Sequence, residues 1–237
     1  MVSLEEFKNN GYLYDSLENY LDLIDFNKLV ELKSFIDSKN IKRHSQYDYW
    51  YAYNNLSYAE KIVYDDLLIR DADLETADYV YKMAHQYQLK KINECKFNPT
   101  WVFGTARDPD IDVIIRSDFL KEFQTKFIKY YYTQYGDKIF EGNTNLQFYD
   151  EGCQIKLHDD GKPISRICVF LFFLNSEWND ENGGNLILYT KDNKQIKLKP
   201  TFPNFVVLDS DINLYHEVEL VKSDTKYNIV SFYSYKD

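Results

Sequence analysis

Residues Gln154 to Gly161 read QIKLHDDG, an alternation of polar and apolar side chains that ends in two carboxylates and a turn-forming glycine. Period-two alternation marks a strand with one buried face. The strand therefore ends on one of only four histidines in the chain. Side chains at i and i+2 of a strand share a face, so His158 and Asp160 point one way and Asp159 the other. Three readings are open here: a metal site, an acid/base pair, or a solvated strand end. An H-x-D tripeptide alone is weak evidence for the first.

The texture around it is that of strands. From Leu146 onward, LQFYD, QIKLH, ICVFLFFLN, NLILYT, KQIKLK, FVVLD and NIVSFYSY are separated by Gly, Asn, Asp and Pro, the regular punctuation of a β-sandwich or barrel. ICVFLFFLN is apolar on both faces and predicts a central strand; KQIKLK alternates and predicts one wet face. NGG at Asn182–Gly184 and PN at Pro203–Asn204 offer residues that tolerate positive φ in tight turns.

The first 140 residues read differently. Phe26, Leu29, Val30 and Ile36 recur at helical spacing; Ser57 and Glu60 have capping-box spacing ahead of Ile62, Val63 and Leu67; a longer helix spans roughly Leu74–Lys91. A fourth runs from Ser117 as N-cap to Gly136 as C-cap, with Phe119, Leu120, Phe123, Phe127 and Tyr131 inward. This divides the chain into a mainly helical part, 1–140, packed on a β core, 141–237.

Composition narrows the function. The 237 residues have a formal net charge of -10, which removes the attraction to phosphate on which nucleic-acid binders rely. Cys95, Cys153 and Cys168 form no CxxC and are expected to be reduced thiols. No signal peptide and no apolar run of spanning length is seen, so a soluble, cytoplasmic protein without a membrane is expected. Oligomeric state has no sequence signal.

Two ligands at i and i+2 with a third from a neighbouring strand make a two-histidine, one-carboxylate face, the donor set of non-haem Fe(II) oxygenases. His216 in LYHEV is the candidate third ligand. His44 lies in the polar loop IKRHSQ and His85 inside the helix containing KMAHQY.

The order FYDEGCQIKLHDD, FFLNSEWNDENGGNLILY, KPTFPNFVVLD, YHEV, KYNIVSFYSY resembles the prolyl-4-hydroxylase-like branch of the 2-oxoglutarate, Fe(II)-dependent dioxygenases, over Leu146 to Tyr235. FKNNGYLYDS is loosely similar to the opening segment of related oxygenases. The resemblance implies an α+β fold built on a double-stranded β-helix, a cupin-like jelly-roll barrel, with the helical part on its outer face. It implies Fe(II) held by His158, Asp160 and His216, and O2 and 2-oxoglutarate as co-substrates, with ascorbate as a candidate accessory. Lys226, ten positions beyond His216, and the Tyr149 hydroxyl would bind the far carboxylate of 2-oxoglutarate. The reaction implied is hydroxylation of a prolyl or other amino-acid side chain, with release of succinate and CO2; desaturation and demethylation stay open. Asp160 keeps the carboxylate that related halogenases lack.

A protein, peptide or small molecule could be the substrate. The alternatives are the same chemistry on a free amino acid or metabolite, and a non-catalytic jelly-roll binding protein. Phe173 stands where several family members have tyrosine, and Asn204 where a turn glycine is common. Arg166 is expected in a structural ion pair, Trp178 in hairpin packing, and Arg107 and Arg116 at a substrate mouth or in a loop entering a strand.

Overall fold

The computed structural model describes residues 4–38, 43–47, 73–94, 101–106, 115, 118–160, 166–212 and 214–235. The helices are α1 (Leu4–Asn10), α2 (Phe26–Asp37), α3 (Leu74–Asn93) and α4 (Asp118–Tyr131). The strands are β1 (Tyr12–Ser16), β2 (Arg43–Tyr47), β3 (Trp101–Ala106), β4 (Ile139–Tyr149), β5 (Gln154–His158), β6 (Arg166–Phe173), β7 (Leu186–Tyr189), β8 (Gln195–Leu198), β9 (Asn204–Asp209), β10 (Tyr215–Val218) and β11 (Lys226–Tyr235). Among the described residues no helix is long and apolar enough to cross a membrane.

All eleven strands join one sheet, in the order β1-β9-β6-β11-β4-β3-β5-β10-β7-β8, with β2 on β3. From β4 onward the chain passes between two halves of the sheet at each strand except the β7–β8 hairpin: β4, β6, β9 and β11 lie in one half, β5, β7, β8 and β10 in the other. β3 links the halves by pairing with both β4 and β5. This alternation, with the sheet curled so that the halves face each other across a shared cavity, is the double-stranded β-helix.

Alternation along the strands sorts the apolar side chains into two cores. Phe170 and Phe172 of β6, Phe205 and Val207 of β9, and Ile229 and Tyr233 of β11 pack outward against Phe7, Leu29, Phe123 and Phe127 of the helices. Their neighbours Val169, Phe173, Val206, Leu208 and Val230 fill the barrel interior. Phe123 meets Phe170, Phe172 and Phe205 edge to face, with centroids 5.4–6.4 Å apart; each such buried ring contributes about 1.5–3 kcal/mol. Lys8 ties α1 to the end of β9 through Asp209, at 2.9 Å.

Several expectations are revised. The first 140 residues also supply β1 to β3, and β4 begins at Ile139 rather than near Leu146. β1 is the sheet edge paired with β9. His44 lies in β2, where backbone pairing with β3 overrides a polar sequence. On α2 the buried stripe is Leu29, Leu32 and Ile36, and Val30 is exposed. α4 stops at Tyr131; Gly136 sits in a following 3₁₀ segment with φ 55 and ψ -136, which is no left-handed helix cap. Asn204 begins β9 without positive φ, whereas Gly183 and Gly184 of NGG do take positive φ. Cys95, Arg107, Arg116, Ser117, the capping box at Ser57 and the side chain of Phe119 lie outside what is described.

Candidate metal centre

β5 and β10 pair antiparallel with His158 directly opposite His216. The imidazole centroids are 4.3 Å apart, and Asp160, two residues beyond His158, brings Oδ2 to 3.8 Å from His216 Nε2. One ligand atom from each of the three lies within 4.8 Å of the others. Each histidine has its Nδ1 hydrogen-bonded two residues back, His158 to the Lys156 carbonyl at 2.8 Å and His216 to the Leu214 carbonyl at 2.9 Å. A carbonyl only accepts, so both Nδ1 atoms are donors and in the neutral rings Nε2 is the nitrogen that can ligate a cation. Burial, and then the neighbouring His216, hold the His158 pKa below its ordinary value, which keeps it in the metal-binding neutral form.

Simple alternation was not sufficient to place His158. The register shifts between His216 opposite His158 and Val218 opposite Ile155, so β5 carries one extra residue. This bulge lets Ile155 and His158 line the same cavity although three positions separate them. Arg166, at the start of β6, donates from Nη1 to the Asp160 carbonyl at 2.8 Å and lies 3.4 Å from its Oδ1. Its guanidinium stacks on Phe232 at 4.6 Å. The predicted structural ion pair is thus an ion pair with Asp160 itself, leaving Oδ2 turned toward His216.

The cavity has a volume of about 310 Å³. Register divides its β4–β11–β6 wall into levels. The floor is Tyr149; Lys226, its Cα partner across the ladder, packs its ammonium against the Tyr149 ring. Next in register come Gln147 with Asn228 and Phe173, then Asn145 with Val230 and Leu171; of these, Gln147, Asn145, Val230 and Leu171 line the cavity. Asn143, Val169, Phe232 and Arg166 line the cavity nearest the rim.

Lys226 is 1% exposed, and no described carboxylate lies within ion-pair distance of its Nζ. The rings of Tyr149 and Phe173 flank that atom at 4.6 and 5.8 Å. Burial pushes its pKa down to about 7, opposed by Glu219. The Tyr149 hydroxyl donates to Gln147 Oε1 at 2.7 Å, and Asn228 Nδ2 donates to the same oxygen at 3.2 Å; burial pushes the phenol pKa far up. Gln147, Asn228 and Asn145 were not anticipated. Continuing the alternation back from Tyr149 along β4 is the signal that finds Gln147 and Asn145. Trp178 packs as expected, donating Nε1–H to the Gly183 carbonyl at 2.7 Å. His85 is not part of the converging group and bonds the Glu151 carbonyl.

Residues 144–234 match the sequence model of the 2OG-Fe(II) oxygenase superfamily. No curated protein sequence matches the chain. Among solved structures, a prolyl hydroxylase from Trichoplax adhaerens, in complex with a hypoxia inducible factor oxygen degradation domain peptide fragment, is similar with a TM-score of 0.60 and 16% identity, over 98% of this chain and 86% of that one. A prolyl 4-hydroxylase from Phytophthora capsici is similar with a TM-score of 0.51 and 15% identity, over 98% of this chain and 61% of that one. At these identities the likeness is one of fold: the curled antiparallel barrel with helices on its outer face.

Proposed function

We propose that the chain, whose residues 144–234 match the 2OG-Fe(II) oxygenase superfamily model, is a 2-oxoglutarate-dependent hydroxylase of a prolyl or other amino-acid side chain. His158 Nε2, Asp160 and His216 Nε2 hold the Fe(II), and Lys226 binds the far carboxylate of 2-oxoglutarate. The observation that carries this reading is the convergence of the three donors, with both Nδ1 atoms occupied by carbonyls, on a cavity lined by Tyr149, against whose ring a buried lysine packs.

The donor set fits the ion: two neutral imidazoles and one carboxylate on a single face suit Fe(II) and leave positions open. The floor fits a dicarboxylate, because a desolvated ammonium against two aromatic rings gains most from a carboxylate partner. When bound, iron and 2-oxoglutarate supply oxygen activation coupled to decarboxylation, yielding succinate and CO2. The chain's own residues do the remaining work. Arg166 fixes the Asp160 carboxylate; Val169, Leu171, Leu208 and Val230 keep water from the space above the floor; Gln147 and Asn228 hold the Tyr149 hydroxyl. Tyr149 reaches the same carboxylate as Lys226 by exchanging its bond to Gln147. A peptide is the first substrate class, by analogy with the peptide held by the Trichoplax enzyme.

The test is succinate formation coupled to O2 consumption by the iron-loaded protein, followed with candidate peptides and free amino acids. His158→Ala is expected to lose iron and turnover together. An iron-loaded wild type that releases no succinate, or a His158→Ala variant that binds iron as the wild type does, would sink the proposal.

A further inference from the structure

Tyr81, His85 and Leu89 stand on one face of α3, about a helical turn apart, and all three meet the turn that joins β4 to β5. The Tyr81 hydroxyl donates to Asp150 Oδ2 at 2.5 Å, and His85 Nε2 is 2.9 Å from the Glu151 carbonyl. Leu89 lies so close to Gly152 that a Cβ there would sit 2.7 Å from Leu89 Cδ2. The other oxygen of Asp150 receives Thr225 Oγ1–H at 2.6 Å. One carboxylate thus joins α3, the end of β4 and the start of β11, through two short, charge-assisted bonds.

The neighbours of these residues are what give the bridge its meaning. Asp150 follows Tyr149 and Thr225 precedes Lys226, and Tyr149 and Lys226 are Cα partners across the ladder. Both therefore stand at strand ends, where a pair of strands otherwise frays. Around the same spot, Asn175 Nδ2 donates to the Thr225 carbonyl at 2.8 Å, and Asn175 Oδ1 accepts from the Tyr227 N–H at 2.9 Å. The backbone is thus pinned on both sides of Lys226. The lysine's side chain spans a water-poor space, so its ammonium is placed only as well as its Cα is.

We infer that Asp150, with Tyr81 and Thr225 as its partners, positions Lys226 against Tyr149, which makes the N-terminal helix α3 a support of the co-substrate floor. This rests on the reading above that Lys226 takes the far carboxylate of 2-oxoglutarate. Tyr81, Asp150 and Thr225 are positioning residues and touch neither iron nor co-substrate. Their loss loosens the floor without altering the three metal donors, so the defect belongs in 2-oxoglutarate affinity and not in iron binding or in turnover at saturation.

The experiment measures 2-oxoglutarate affinity and KM, saturated kcat and Fe(II) affinity on the full chain. Tyr81→Phe and Thr225→Val, which remove one hydroxyl each, should weaken 2-oxoglutarate about fivefold to tenfold. Saturated kcat and Fe(II) affinity should stay within about twofold of wild type. Thr225→Ser, which keeps the hydroxyl, should restore binding. In an Asp150→Ala background Tyr81→Phe should have no further effect, because the two act through one carboxylate. Unchanged 2-oxoglutarate affinity in both hydroxyl variants would overturn the inference. So would an equal loss of kcat and iron affinity, the pattern of general destabilisation. Wild-type protein that binds iron but no 2-oxoglutarate would refute the proposed function, and this inference with it, before any variant is made.

Discussion

Replacing Lys226 by methionine should stabilise the fold while abolishing 2-oxoglutarate binding. The ammonium is fully buried, and its pKa falls from 10.5 to about 7. That depression corresponds to roughly 5 kcal/mol of destabilisation wherever lysine is protonated in both states, that is, below about pH 7. Between pH 7 and 10.5 the unfolded chain binds the proton and the folded one does not, so wild-type stability rises with pH across this window. Methionine has nearly the same length and no charge to desolvate. It forfeits the contact of the cation with the Tyr149 ring, worth about 1–2 kcal/mol.

The net gain at pH 7 is thus about 3 kcal/mol, which for a chain of this size raises Tm by roughly 6–12 °C. Urea unfolding of both proteins from pH 6.5 to 9.5, without 2-oxoglutarate, reads the difference. The two curves should converge as pH rises, since other titrating groups are common to both. A Lys226→Met protein less stable than wild type at pH 7, or a gap that does not shrink with pH, would refute the reasoning. It would mean that the ammonium already has a partner that the cavity does not account for.

Two further outcomes follow from the site and its hairpin. Arg166→Met removes the cation that bonds the Asp160 carbonyl and lies beside its Oδ1; iron affinity should fall about tenfold to a hundredfold, measured by metal titration, with the fold retained because the methionine stem still packs on Phe232. Gly183→Ala puts a Cβ 2.0 Å from the backbone oxygen of Leu220 at a φ of +69; denaturant unfolding should show a loss above about 2 kcal/mol.

Much of the barrel was legible because strand alternation is a local property. QIKLH, FVVLD and ICVFLFFLN are each recognisable as a strand within five to nine residues, and each forms one in the structure, although the bulge in β5 hid which face His158 takes. The same holds for the buried stripe of α4 through Leu120, Phe123, Phe127 and Tyr131. Errors fell where local chemistry was ambiguous. Asn204 could serve a turn or a strand, and pairing of β9 with both β1 and β6 decided for the strand. The polar segment around His44 looked like a loop because β2 gains its place from hydrogen bonds to β3, to which side-chain pattern contributes little.

From its sequence alone this chain carries the identities of His158, Asp160, His216 and Lys226, their order, and the strands that bear them. The tertiary structure decided how they are arranged. Pairing of β5 with β10 sets two histidines 58 positions apart face to face, and a one-residue bulge turns His158 into the cavity. Closure of the sheet buries Lys226, and α3 reaches across to brace the strand ends beside it. Side-chain alternation is written in each short segment. Which strands meet, in what register, and how dry their meeting place becomes depends on free energies shared by residues far apart in the chain.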